Sequence, residues 1–198
     1  MNYKKIFILI IALISIFEAS AQFSAGITNS RYVYGSYKLE NGIKFKIEHS
    51  LYSEKLGFQR VGIGAGYGSA LRYGFDWEVN AFAATTWNRN YQVVGADVNI
   101  GYHYRRLGLY ATLNPRYDSG LHYMTCWQAG ASVRINDPIS VVVDYTTIPE
   151  YRVSERRIAG GFEFKVNSLS VTPKLSFSAD DNTLLKNIRV LISMNYDF

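Results

Sequence analysis

From Ile188 to Phe198, apolar residues take every second position. Ile188, Val190, Ile192, Met194, Tyr196 and Phe198 alternate with Arg189, Leu191, Ser193, Asn195 and Asp197. A period of two belongs to a β-strand, whose side chains leave its two faces in turn. The run exceeds the ~5–6 residues typical of a globular strand. It matches the ~9–11 residues with which a tilted strand crosses a bilayer.

The pattern repeats upstream. Val94, Ala96, Val98, Ile100, Tyr102 and Tyr104 form one apolar row, and Phe75, Trp77, Val79, Ala81 and Ala83 another. Shorter rows are Ile43-Phe45-Ile47, Val61-Ile63-Ala65-Tyr67, Leu107-Leu109-Ala111-Leu113, Trp127-Ala129-Ala131-Val133, Ile139-Val141-Val143-Tyr145, Phe162-Phe164-Val166 and Leu169-Val171-Leu175-Phe177. The hairpin signal Glu40-Asn41-Gly42 requires a strand over Arg31–Leu39, and Phe23–Thr28 adds another. Asn136-Asp137-Pro138 and Asn167-Ser168 are further tight turns. Longer links are expected near Ser53–Phe58, Trp87–Asn90, Tyr117–His122, Pro149–Arg157 and Ala179–Lys186, alternating with the tight ones as external loops do with periplasmic turns. The expected fold is all-β: an antiparallel up-and-down transmembrane β-barrel of 10 or 12 strands, or of 8 if several rows merge. Pro173 cannot donate to a ladder, so a bulge or strand end is expected there.

Residues 1–21 have the parts of a cleavable signal peptide: Lys4 and Lys5, the apolar run Ile6–Phe17, and Ala19-Ser20-Ala21 as the cleavage site. That run is too short for a helical span of ~20 residues. Residues 22–198 then form one barrel domain. Removing Lys4, Lys5 and Glu18 takes the formal charge from +5 to +4. This excess is scattered, unlike the clustered footprint of a nucleic-acid binder. The lone Cys126 excludes an internal disulfide. The 16 Tyr, 11 Phe and 3 Trp suit a membrane interface.

Either face of such a barrel could turn outward, as a soluble lipocalin-like barrel also has one apolar face. The polar face carries Lys44, Lys46, Glu48, Arg60, Asp76, Glu78, Asp97, Arg116, Arg134, Asp144, Glu163, Lys165, Lys174, Arg189 and Asp197. Their signs nearly balance, which lets them pair inside a narrow lumen. A selective wide channel would more often show one sign. Gly62, Gly64, Gly66, Gly68, Gly95, Gly101, Gly130 and Gly161 share this face, as a tightly curved wall requires.

The export signal, the amphipathic strands and the aromatic ending Tyr196-x-Phe198 together resemble bacterial outer-membrane proteins. The resemblance implies residence in the outer membrane among lipids and lipopolysaccharide. It also implies that Tyr196 and Phe198 form an assembly signal read by the barrel assembly machinery. Trp77, Trp87, Tyr102, Tyr104, Trp127, Tyr145 and Phe177 are placed for interfacial girdles.

Chemistry is sparse. His49 is expected on the outer face, and His103 on the inner face. Ser119 and His122 are weak catalytic candidates, prompted by the Ser/His pairs of lipid A deacylase and outer-membrane phospholipase barrels, whose patterns they do not match. No metal-ligand spacing and no cofactor motif is present. Arg152, Arg156 and Arg157 form a basic loop cluster suited to lipopolysaccharide phosphates. The expected function is a structural or interaction barrel of envelope or adhesion type, with a mostly filled lumen and an envelope protein as a potential partner. Alternatives are a narrow pore for small solutes, a lipid-modifying barrel hydrolase and a soluble periplasmic lipocalin-like carrier.

Overall fold

The computed structural model describes residues 21–29, 32–50, 60–86, 91–148, 156–180 and 188–198. Among them run twelve strands: β1 (Ala21–Thr28), β2 (Tyr32–Leu39), β3 (Ile43–Ser50), β4 (Arg60–Ala70), β5 (Phe75–Thr86), β6 (Gln92–Tyr104), β7 (Leu107–Asp118), β8 (His122–Asn136), β9 (Ile139–Thr146), β10 (Arg157–Val166), β11 (Leu169–Ser178) and β12 (Arg189–Asp197). Each pairs antiparallel with the next, and β12 pairs with β1, so the sheet closes. Closure leaves no edge with unpaired backbone groups, the condition for a sheet to stand in hydrocarbon. Twelve is one of the two expected counts, and both strands expected before Gly42 are present. The expected signal peptide lies outside the described residues, apart from Ala21, which begins β1 and pairs with Leu39.

The apolar rows face outward. Ile63, Val190 and Phe45 are 63%, 65% and 50% exposed. Burying them in lipid removes from water a surface that a soluble carrier would have to keep inside. The lipocalin-like alternative fails on this point. At one rim the links are short: Glu40–Gly42, Leu71–Gly74, Arg105–Arg106, Asp137–Pro138 and Asn167–Ser168. The chain end at Phe198 lies at this rim, where its backbone N–H donates to the Phe23 carbonyl at 2.9 Å. At the opposite rim, the link expected to be long near Tyr117–His122 is tight. β7 and β8 pair as far as Asp118↔His122, leaving three residues between them. The loops expected near Ser53–Phe58, Trp87–Asn90 and Pro149–Arg157 fall largely or wholly outside the described residues.

Pro173 produces neither a bulge nor a strand end. It sits within β11 opposite Ile192, and pairing with β10 lapses between Gly161 and Phe164 without a change of register. Pro115 does the same on β7, where pairing with β6 lapses between Gly95 and Val98. A glycine stands beside each gap. A Cβ on Gly95 would come within 2.6 Å of the Pro115 carbonyl oxygen, and one on Gly161 would collide with that of Pro173. Close approach of the two backbones thus keeps the register across the missing donor. The register shift that does occur lies between Arg134 and Asn136 on β8.

Candidate functional site: the lumen

The inner face is polar, and its charges are paired mainly across strands. Glu48 sits between Lys46 Nζ at 3.0 Å and an Arg60 guanidinium nitrogen at 2.7 Å. Lys44 Nζ lies 3.3 Å from Glu78 Oε1, and Lys174 Nζ lies 2.7 Å from Asp144 Oδ2. Asp97 accepts from Asn114 Nδ2 at 2.5 Å, and Glu163 from the Ser170 hydroxyl at 3.0 Å. Each carboxylate is thereby compensated where a bare charge would be costly. Arg134, Lys165 and Arg189 alternate onto the same face.

Glycines stand opposite several of the longer inner-face side chains. Gly62 stands opposite Glu48, Gly66 opposite Asn80 and Gly68 opposite Glu78. Gly101 stands opposite Asp76, and Gly130 opposite Tyr110. At each, an added Cβ would run into the partner's side chain; it would lie 2.9 Å from Glu48 Cγ at Gly62 and 2.9 Å from Glu78 Cβ at Gly68. The partner lies along the wall, in the space where the glycine has no side chain. Beside Gly62, Glu48 and Asn80 lies a cavity of about 390 Å³, bordered by Lys44, Lys46, Glu78, Asn99, Thr112 and Gln128 among others.

Burial is uneven along the axis. Arg60, Asn114, Arg116, Asp118, Asp144, Arg157, Ser176 and Ser178 are buried, all in the half nearer the longer links. An apolar cluster of Ala84, Tyr91 and Val93, with Phe82 against it, interrupts the polar face there. The Arg116 guanidinium lies 5.4 Å from the Phe82 ring centre. Tyr91, just before β6, is buried and donates a hydrogen bond from its hydroxyl to Asp118 Oδ2. Asp118 Oδ1 accepts from the backbone N–H of Gly120 and Leu121 at 2.7 and 3.1 Å. Burial and the Asp118 carboxylate hold the Tyr91 phenol above its ordinary range. Toward the short-turn rim, lumen side chains are more open, with Lys46 42% and His103 70% exposed at the side chain.

The other expected residues fall as follows. His103 Nε2 meets Asp76 Oδ2 at 3.2 Å, a partner on the neighbouring strand that a reading along one strand does not find. The Ser119 hydroxyl accepts from the Gln92 N–H at 2.9 Å and staples the β7–β8 turn. His122 is exposed in a left-handed conformation, φ 64°, and no hydrogen bond joins it to Ser119 among the described residues. The three arginines of the basic loop cluster fall in different places. Arg152 lies outside the described residues. Arg157 begins β10, is 5% exposed, and donates to the Ser176 hydroxyl and carbonyl at 2.8 and 2.9 Å. Arg156 is exposed but bound to Asp180 through both its backbone N–H, at 2.7 Å, and its guanidinium. The alternation that turns Arg157 inward places it beyond reach of an outer surface. Tyr196 and Phe198 stack edge to face at 4.7 Å on the outer face, and Phe198 packs on Phe23 at 5.1 Å. Among the described residues, no group of three His, Cys, Asp or Glu side chains could hold a metal ion.

No protein-family model and no curated protein compared with the chain matches it. Solved structures do. A KdgM porin, determined in complex with disordered oligogalacturonate, superposes with a TM-score of 0.68 at 8% identity, over 91% of this chain and 99% of that one. A NanC porin gives 0.55 at 9% identity, over 90% and 98%. The outer membrane protein Omp33 of Acinetobacter baumannii gives 0.52 at 7% identity, over 90% and 98%. Closed, apolar outside and polar within, this twelve-stranded antiparallel barrel has the fold of bacterial outer-membrane porins.

Proposed function

We propose that the chain is a narrow, water-filled pore for small polar solutes. The observation that carries this reading is the glycine-recessed inner wall, which lays Glu48, Glu78 and Asn80 sideways beside a cavity that Lys44, Lys46, Asn99 and Thr112 also line. A plug would have no need of a wall that clears side chains from the axis. The near-balance of charge and its pairing across strands favour weak selectivity by sign over a one-sided filter. The structural or interaction barrel is supported by a different observation, the crowding of Arg60, Tyr91, Arg116 and Asp118 in the half nearer the longer links.

Single-channel recording in planar bilayers separates the two readings. Discrete conductance steps support the pore, and silence from refolded protein with heat-modifiable mobility leaves the closed scaffold. Oligogalacturonate, the ligand of one structural neighbour, is a first solute to test by current block. Tyr196 and Phe198 remain part of the proposal as an assembly signal. Deleting Phe198 should slow insertion without reducing export, and normal insertion kinetics would remove that role.

A further inference from the structure

We propose that the short-turn rim carries a docking surface for anionic glycerophospholipid headgroups, formed by the β4–β5 and β6–β7 turns. Three exposed arginines stand there: Arg72, Arg105 and Arg106. Neither the Leu71–Gly74 turn nor the Arg105–Arg106 turn holds an acidic residue. The nearby Asp76 faces the lumen, where His103 engages it. The two turns lie side by side, since Phe75 pairs with Tyr102 and a Cβ on Gly74 would collide with the His103 carbonyl oxygen.

The surface faces lipid. Phe75 and Tyr102 stack on the outer wall at 4.6 Å, and Tyr67 and Trp77 at 5.6 Å. The Arg105 guanidinium lies 5.2 Å from the ring centre of outward-facing Tyr104. Tyr73, at the tip of its turn, is 87% exposed and flanked by exposed Leu71 and Phe75. Aromatic rings with polar tips settle at the headgroup boundary, so this belt sets the depth of the rim. Guanidinium groups at that depth meet phosphate, which they bind with charge-assisted hydrogen bonds, and each cation near an anionic leaflet adds attraction. The basic cluster open to phosphate thus stands at the opposite rim from Arg156, which Asp180 already holds.

The test uses the full mature barrel in bilayers of phosphatidylcholine and phosphatidylglycerol, with bromine on the acyl chains of one lipid at a time. Trp77 is left as the reporter by W87F and W127F; a second protein keeps Trp127 alone, with W77F and W87F. Brominated phosphatidylglycerol should quench Trp77 about twofold beyond its mole fraction. R72Q/R105Q/R106Q should return quenching to the mole fraction, and Trp127 should show no arginine-dependent excess. Should the triple variant fail to fold, salt on the unaltered turns gives a second reading. At ~1 M the screening length falls to ~3 Å, and the excess should vanish. Trp77 quenching in simple proportion to mole fraction would overturn the proposal, as would an excess that survives both the substitutions and salt.

Discussion

The Tyr34 hydroxyl on β2 donates to Asn195 Oδ1 on β12 at 2.5 Å, crossing the strand that lies between them. It can do so because the residue beneath is Gly26, paired with Tyr34 on one side and Asn195 on the other. The strap spans the seam where first and last strands meet. Tyr34→Phe should cost about 1 kcal/mol, the net worth of one such bond. Gly26→Ala should cost more, since its Cβ would meet the Met194 carbonyl oxygen and push β1 from β12. Urea unfolding followed by the loss of heat-modifiable mobility measures both; equal stability of Y34F and parent would show the strap to be incidental.

Asp118 is a second node, joining Tyr91 to the β7–β8 turn. Tyr91→Phe removes a hydrogen bond to a charged group and should cost about 1.5–3 kcal/mol. Asp118→Ala should cost more, because it also strips the acceptor from Gly120 and Leu121. The Tyr91 pKa is raised in the folded protein, so its contribution is complete below the ordinary tyrosine range of ~10 and is lost as pH rises through the folded value. Parent and Y91F should therefore differ in stability at pH 8 and converge in strong alkali. A gap that persists there would contradict the assigned hydrogen bond.

Gly130 tests the recessed wall. An alanine there would place its Cβ in the Tyr110 ring, forcing the phenol toward the axis. If the barrel conducts, Gly130→Ala should lower single-channel conductance by roughly 20–50%. Tyr110→Ala in the same background should restore it. Unchanged current in G130A would place the narrowest section elsewhere.

The Arg156–Asp180 contact should respond to acid. The Arg156 backbone N–H, followed by its guanidinium, holds the Asp180 carboxyl below its usual range. A depressed carboxylate stabilises above the unfolded value of ~3.9 and loses that effect as pH falls through the folded one. The protection of the Arg156 amide, its hydrogen exchange relative to the intrinsic rate at each pH, should be high near neutrality and fall below about pH 4. Asp180→Asn should lower that protection at neutral pH and remove most of its pH dependence. Because both side chains are exposed, global stability should barely change.

The alternation of residues such as Ile188–Phe198 determined strand and span without help and sorted the side chains into two faces, while the exposure of the apolar rows in the closed barrel decided which face turns outward. A period of two admits one partition of side chains, and lipid outside demands that the apolar half face it. Inward glycines and charges were legible for the same reason. What sequence could not supply was which side chains meet across strands, because register relates residues distant along the chain. His103 finds Asp76, Tyr34 finds Asn195, and Tyr91 finds Asp118 only once twelve strands have closed. Pro173 read alone predicted a break, yet Gly161 on the neighbouring strand lets the backbones close up. Arg157 read as part of a loop became the first residue of β10, and strand parity turned it inward. Local pattern determined the wall, while the tertiary structure decided every contact within it, since those contacts depend on closure and register.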